Sequence, residues 1–358
     1  SKAFLVSNAL NSRLTLIRSR VWRSFTIDGT RVCYNPEDMA LDEFVVKASP
    51  YDYTVKFTNT IPMLGQNDFV IVDEKLKSFV FPHTFVYAVE AKEENKTITT
   101  VMDIVKYLSG QRTPARIVVV GGGIIQDIGA FLSTIFNRGI EWIYWPTTLL
   151  AMADSCIGGK SSLNHTGVKN KIGTFSCPHK VFINTLFLNT LDFGAIRSGQ
   201  GEILKLCMIG NALDIYEKSD EMDRIKIALL IKRAVIEVDQ FDKGIRRALN
   251  YGHTIGHALE SLSGYTVPHG VAVIKGMLIE NRLFGYSDPK FERLATNIVN
   301  VPGVDTDVKQ VYDVLLKDKK VSKNIVQFAV PREPGDFEFK YMELNTDICA
   351  RIKGMISE

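Results

Sequence analysis

A chain of 358 residues, 46% apolar and 23% charged, is long enough to bury two cores or one large α/β unit, and its composition is that of a globular protein. A net charge of +3, with no long basic run, argues against nucleic acid as a partner and leaves any acidic ligand to local lysines and arginines. Five scattered cysteines without a CxxC pair speak against a disulfide framework or a thiolate zinc cluster. With no apolar run of about 18 residues, a reducing, cytoplasmic setting with no membrane contact is expected.

In chain order, residues 1–45 have weak periodicity and stand as an N-terminal extension without a readable role. From Tyr53 the pattern sharpens. YTVKF alternates as a strand does, DFVIVDEKL reads as a buried strand ending in an acidic turn, and TFVYAVEA is a third candidate. TTVMDIVKYLSG has helical spacing. ARIVVVGGG is a β-branched run stopped by glycines, IIQDIGAFLSTIF a helix, and IEWIYWPTT another buried strand. Strands alternating with helices predict an α/β unit over residues 46–190, with a mostly parallel sheet covered on both faces. After Leu191 helical spacing dominates, in FGAIRSGQGEILKLCMIG, RIKIALLIKRAVIEVDQ, HTIGHALESLS and HGVAVIKGMLIENRLFG, so residues 191–358 are expected to form a mainly α-helical domain.

Several segments could carry chemistry. In VVVGGGIIQD a strand runs through glycines into a helix, so the bare backbone and the helix N-terminus can approach a phosphate, although a tight turn after a core strand has the same pattern. A second such turn, WPTTLLAMADS, adds Thr147, Thr148 and Asp154. GGKSSLNHTGVKNKIG brings Gly158, Gly159, Lys160, Asn164, Lys169, Asn170 and Lys171 together as a phosphate cradle or, more plainly, a solvated basic loop. In NYGHTIGHALESLSGYTVPHG, His253 and His257 stand one helical turn apart. A helical hairpin could return His269 to them. Two imidazoles and a carboxylate make an open catalytic metal site, and Glu202 of GQGEILK is the candidate carboxylate, with Lys205 three residues on. Thr254 stands where a zinc-protease helix carries its glutamate, which excludes that chemistry.

Taken in order, GGGIIQD, NRGIEWIYWPTTLLAMADSCIGGKSSLN, KNKIGTF, GEILK, RRALNYGHTIGHALE, PHG and LKDKKV resemble the dehydroquinate synthase family of sugar-phosphate cyclases over residues 53–330. The wording is similar to a branch of cyclising sugar-phosphate phospho-lyases. The resemblance implies a Rossmann-like parallel-sheet domain that holds NAD, followed by a helical domain that holds metal and substrate. It also implies a phosphorus-oxygen lyase reaction: transient oxidation of a phosphorylated keto sugar or keto sugar acid, phosphate elimination, reduction and intramolecular aldol closure to a carbocycle.

Carried over by position, Glu202, His253 and His269 match the family's metal ligands, normally zinc with cobalt possible, and His257 matches a substrate-pocket residue. Asp154, Lys160, Asn170, Lys205, Lys232, Arg246 and Asn250 match polar residues around the substrate. A guanidinium at Arg246 suits a carboxylate, so an acidic 3-deoxy-heptulosonate-like substrate is expected. Arg138 matches a residue that reaches the neighbouring subunit's site, which implies a homodimer. Lys320 matches a phosphate contact, with Lys319 beside it. Asp73, Glu93, Lys96, Gly122, Gly123, Asp127, Thr147, Thr148, Lys169 and Thr190 lie where the family holds NAD, and Asp154 borders both ligands. The departures are GVKNKIG, Gln126, the N-terminal extension and the ending VPREPGDFEFKYMELN. A metal-dependent NAD polyol (glycerol-type) dehydrogenase is the alternative. Such enzymes carry a glycine-rich AGTGSE-like stretch after PTT, where this chain has LLAMADSCIGGK.

Overall fold

The computed structural model describes residues 22–61, 64–80, 82–166, 168–299, 301, 303–316 and 324–358. Lys319 and Lys320 therefore lie outside the described residues. The N-terminal α/β part is built on a sheet whose described strands run in the order 43–46, 53–57, 180–183, 142–146, 116–121, 68–73 and 86–89. All pairings are parallel except that of the edge strand Glu43–Val46. Val118, Val119 and Val120 are buried on both faces, as a covered parallel strand requires. Chain order reverses between Asp68–Asp73 and Arg116–Gly121, the topological switch point where ligands enter open α/β sheets, and Asp73 and Gly121 end the two strands there.

The expected strands and helices of this part form as read. The basic segment does not remain a loop: Lys160–His165 and Val168–Phe175 pair as an antiparallel hairpin packed on helix Gly123–Ile135. In the C-terminal part, helices Phe193–Ile209, Glu221–Val238, His253–Leu262 and His269–Phe284 agree with the helical spacing.

A four-stranded sheet not read from the sequence joins the two ends of the described chain. Arg23–Ile27 and Thr30–Tyr34 form one hairpin, Ile325–Glu333 and Asp336–Glu343 the other, and Thr26 pairs in parallel with Asp336. The first turn is Asp28–Gly29, both with positive φ, as a two-residue hairpin turn demands. Arg23 anchors this sheet to the helices through Asp214 at 2.7 Å, and the Tyr34 hydroxyl donates to the Gly210 carbonyl at 2.8 Å. No helix among the described residues is long and apolar enough to cross a membrane.

Glycines set how closely the helices cross. A Cβ at Gly270 would stand 1.8 Å from the Ser198 carbonyl oxygen, and one at Gly201 would stand 2.3 Å from that of Gly270. Backbone thus rests on backbone where helix 193–209 meets helix 269–284, and the neighbours of these glycines, Glu202 and His269, are drawn together. Gly270→Ala should lower stability by about 3 kcal/mol or more, since rigid main chain cannot give way. Its urea midpoint should fall accordingly, and an unchanged midpoint would refute the close-crossing account.

Candidate active site

Glu202, His253 and His269 converge from three helices, with ligand atoms within 4.8 Å of one another. Glu202 Oε1 lies 3.5 Å from His253 Nε2 and 3.5 Å from His269 Nε2. Its other oxygen accepts from Lys205 Nζ, and both side chains are essentially inaccessible to solvent. Oε1 is buried without a hydrogen-bond donor. A desolvated anionic oxygen of this kind is costly unless a cation faces it, and two imidazole nitrogens aimed at the same point complete a donor set suited to a divalent ion.

The outer contacts fix the imidazoles. His253 Nδ1 is 3.2 Å from the Tyr251 carbonyl oxygen, which can only accept, so Nδ1 carries the proton and Nε2 keeps its lone pair. His269 Nδ1 is 3.1 Å from Glu260 Oε2, the carboxylate–histidine arrangement that orients metal ligands. Burial opposes ionisation of Glu202, but Lys205 and His269 outweigh it and hold the carboxyl down at about 2. Burial likewise disfavours the His269 imidazolium, yet Glu202 and Glu260 on its two nitrogens raise it to about 10. The His269 shift reports the negative potential of two carboxylates, and the Glu202 shift reports the positive charge that faces its own oxygens. His257 is exposed and stacks beside His269, with ring centroids 5.8 Å apart.

His257, Glu260 and His269 border a cleft of about 1830 Å³ that extends to the carboxyl edge of the parallel sheet. Asp73, Glu93, Lys96, Gly122, Gly123, Asp127, Thr147, Thr148, Lys169 and Thr190 all line it, as do Lys160, Asn170, Asn250, His257 and His269. At Gly122 a Cβ would meet Thr148 Cγ2 at 2.8 Å, whereas at Gly123 it would meet nothing within 4 Å, so the helix N-terminus is bare toward the cleft. That suits a dinucleotide's pyrophosphate. Behind it, Lys96 Nζ bonds Asp127 at 3.1 Å and Asn170 Oδ1 at 2.7 Å, while burial raises Asp127 to about 6 despite Lys96.

Other expected site residues sit elsewhere. Glu202, His253, Lys205, Lys232 and Asp154 are grouped beneath the cleft wall, where Lys232 Nζ pairs with Asp154 Oδ1 at 3.0 Å. Arg138 is exposed in a turn of positive-φ residues and does not line this cleft. Arg246, expected against a substrate carboxylate, is 4% exposed and off the cleft wall. Its guanidinium donates to the Gly158 carbonyl at 3.0 Å and to that of Gln240, because the turn carrying it faces the loop before Lys160.

Among the cleft residues not anticipated are Glu260, Asp242, Tyr265 and Arg247. Glu260 follows His257 by three positions, a helical signal that could have been read. Asp242 meets Lys160 Nζ at 2.5 Å, Tyr265 lies under Lys169 Nζ at 3.6 Å from its ring centre, and Arg247 lines the wall. Local spacing gives no sign of these three.

The model for the 3-dehydroquinate synthase N-terminal region matches residues 86–198, and that for the C-terminal region matches residues 199–321. A 3-dehydroquinate synthase of Clostridium tetani is 42% identical over 205 residues, 53% of this chain and 55% of that protein. One of Exiguobacterium sp. is 33% identical over 292 residues, 76% of this chain and 82% of that protein. The chain thus spans about half the length of the first relative and most of the second. A 2-deoxy-scyllo-inosose synthase solved with carbaglucose-6-phosphate, NAD+ and Co2+ superposes with TM-score 0.74 at 20% identity, over 88% of this chain and 99% of that one. A 2-epi-5-epi-valiolone synthase from Streptomyces hygroscopicus, solved with NAD+ and Zn2+, reaches 0.70 at 21% identity, over 87% and 98%. At such identities the likeness is one of fold.

If the orphan oxygen of Glu202 faces a cation, Glu202→Ala should leave the purified protein without stoichiometric metal. Glu260→Gln, which only loosens His269, should weaken zinc affinity about 10- to 100-fold. Competition against a chromophoric chelator measures both, and wild-type affinity in Glu202→Ala would exclude the centre.

Proposed function

Because the chain belongs to the 3-dehydroquinate synthase family, we propose that it is an NAD- and divalent-metal-dependent cyclase that converts a phosphorylated keto sugar or keto sugar acid into a carbocycle with loss of phosphate. The observation that carries this reading is the buried, donorless Glu202 Oε1 at 3.5 Å from two imidazole nitrogens, one of them of His269, which lines a cleft that reaches the sheet's glycine turn. When bound, NAD supplies a reversible hydride acceptor, and zinc or cobalt supplies Lewis acidity for a substrate hydroxyl.

The chain's own residues do the rest. Gly122, Gly123, Thr147 and Thr148 receive the dinucleotide, and Asp73 ends the strand where a ribose hydroxyl would be accepted. Glu202, His253 and His269 would hold the ion. Lys205 neutralises the Glu202 oxygen turned away from the imidazoles, so that carboxylate keeps one oxygen for the ion. Lys160 and Asn170 line the cleft within reach of a phosphate, and His257, exposed beside His269, can take or return a proton at its ring nitrogen. Arg138, exposed and away from this cleft, is proposed to serve the cleft of a second copy, which makes the working unit a homodimer.

A screen of six- and seven-carbon sugar phosphates, with product mass spectrometry and near-ultraviolet absorbance, tests this. The expected outcome is phosphate release with no net NADH, abolished by a chelator and restored by Zn2+ or Co2+. Net NADH from a simple polyol, with no phosphate released from any sugar phosphate, would instead identify a polyol dehydrogenase.

A further inference from the structure

We infer that His257 and Glu260, with the outward nitrogen of His269, form a second and weaker divalent-cation site on the cleft side of the metal-ligand candidates. Only its effect on turnover rests on the cyclase reading; its residues and geometry do not.

His269 meets a different carboxylate at each ring nitrogen. Nε2 is 3.5 Å from Glu202 Oε1, and Nδ1 is 3.1 Å from Glu260 Oε2. The two histidines of helix His253–Leu262 divide between these sides. His253 joins Glu202 and His269 in the inner donor set, and His257 joins Glu260 and His269 in an outer one, whose ligand atoms also lie within 4.8 Å of one another. His257 and Glu260 are three positions apart and so share a helix face. The rings of His257 and His269 lie 27° from parallel, with centroids 5.8 Å apart.

Metal bonds of about 2.0–2.2 Å place the donors of one ion about 3.0–3.5 Å apart. His269 Nδ1 and Glu260 Oε2 already have that spacing, and rotation of the exposed His257 ring about its side-chain bonds brings in the third donor. All three residues line the cleft, so an ion reaches them from solvent, whereas Glu202 and His253 lie beneath the wall. Two imidazoles and one carboxylate suit Zn2+ better than Mg2+ or Ca2+, which prefer all-oxygen shells.

The outer site must be the weaker of the two. A neutral imidazole has one lone pair, so a His269 ring with an ion on each nitrogen has given up its proton. The inner ion repels the outer one through that ring. Lys169, whose ammonium is 3.6 Å from the Tyr265 ring centre, adds a further like charge near Glu260. The site therefore fills only when metal is in excess. An ion there takes Glu260 from His269 and takes the His257 ring nitrogen from the reaction, so excess zinc is expected to inhibit.

The test titrates metal-free protein with Zn2+ against two chromophoric chelators of different strength. Wild type should bind two ions per chain, the second about tenfold or more weakly. His257→Ala should lose the weak ion and keep the tight one within about threefold, whereas Glu202→Ala should keep only the weak ion. One ion per wild-type chain, or a weak ion that survives His257→Ala, would overturn the inference. Phosphate release by the NAD-loaded enzyme should fall over the Zn2+ range in which the second ion binds. Two ions as described, with no phosphate released from any sugar phosphate, would remove the cyclase reading and leave the outer site. Phosphate release by a wild type that binds a single ion would do the reverse.

Discussion

A carboxylate with no access to water organises this molecule. Glu202 is 1% exposed, and of its two oxygens one is satisfied by Lys205 and the other by nothing but the pair of imidazoles in front of it. Taking such a charge out of water costs several kcal/mol unless it is compensated at close range, so the surrounding helices must be held to within fractions of an ångström. The glycine crossings do this. Gly201 and Gly270 let helix 193–209 touch helix 269–284, and a Cβ at Gly276 would stand 2.1 Å from the Gly252 carbonyl, which fixes the start of the helix bearing His253. Glu280 accepts from the Gly252 N–H at 2.8 Å, and Asn281 accepts from the Tyr251 hydroxyl at 2.7 Å. The three metal-ligand candidates therefore inherit their positions from backbone contact rather than from loops.

The second half of the cleft follows from the sheet. A parallel sheet with a switch point leaves a crevice at its carboxyl edge, and Gly122, Thr147 and Asp73 lie there because strands end there. What joins the two halves is the hairpin 160–175. It is rooted on helix 123–135 and reaches the helical part through Lys160 to Asp242, Lys169 to Tyr265, and Phe175 to Phe241 with ring centres 5.2 Å apart. The carboxyl edge of the sheet and the metal-ligand candidate His269 thus face one cleft.

Much of this was legible in the sequence because it is periodic or tied to glycine. The β-branched runs, the GGG turn and the helical spacing of the histidines gave the strands, the crevice and the metal-ligand candidates. The terminal sheet was missed although SFTIDGTRVCY carries a hairpin turn between alternating residues, since each hairpin alone is too small to announce the partner that stabilises it. The orientation of the two adjacent arginines was missed for a different reason. Resemblance aligns Arg246 with a ligand contact, but whether a side chain meets ligand or main chain depends on the pitch of a six-residue turn, which no pattern of residue types encodes.

The pairing of Thr26 with Asp336 has a consequence for the order of events during synthesis. Strand Arg23–Ile27, already paired on one edge with Thr30–Tyr34, must wait for a strand made much later to cover its other edge, and closing so long a loop is slow. The Gln327 and Phe339 face of the crevice arrives in the same late step. The parallel sheet can form early, but this wall of the cleft is complete only when the hairpins 23–34 and 325–343 find each other.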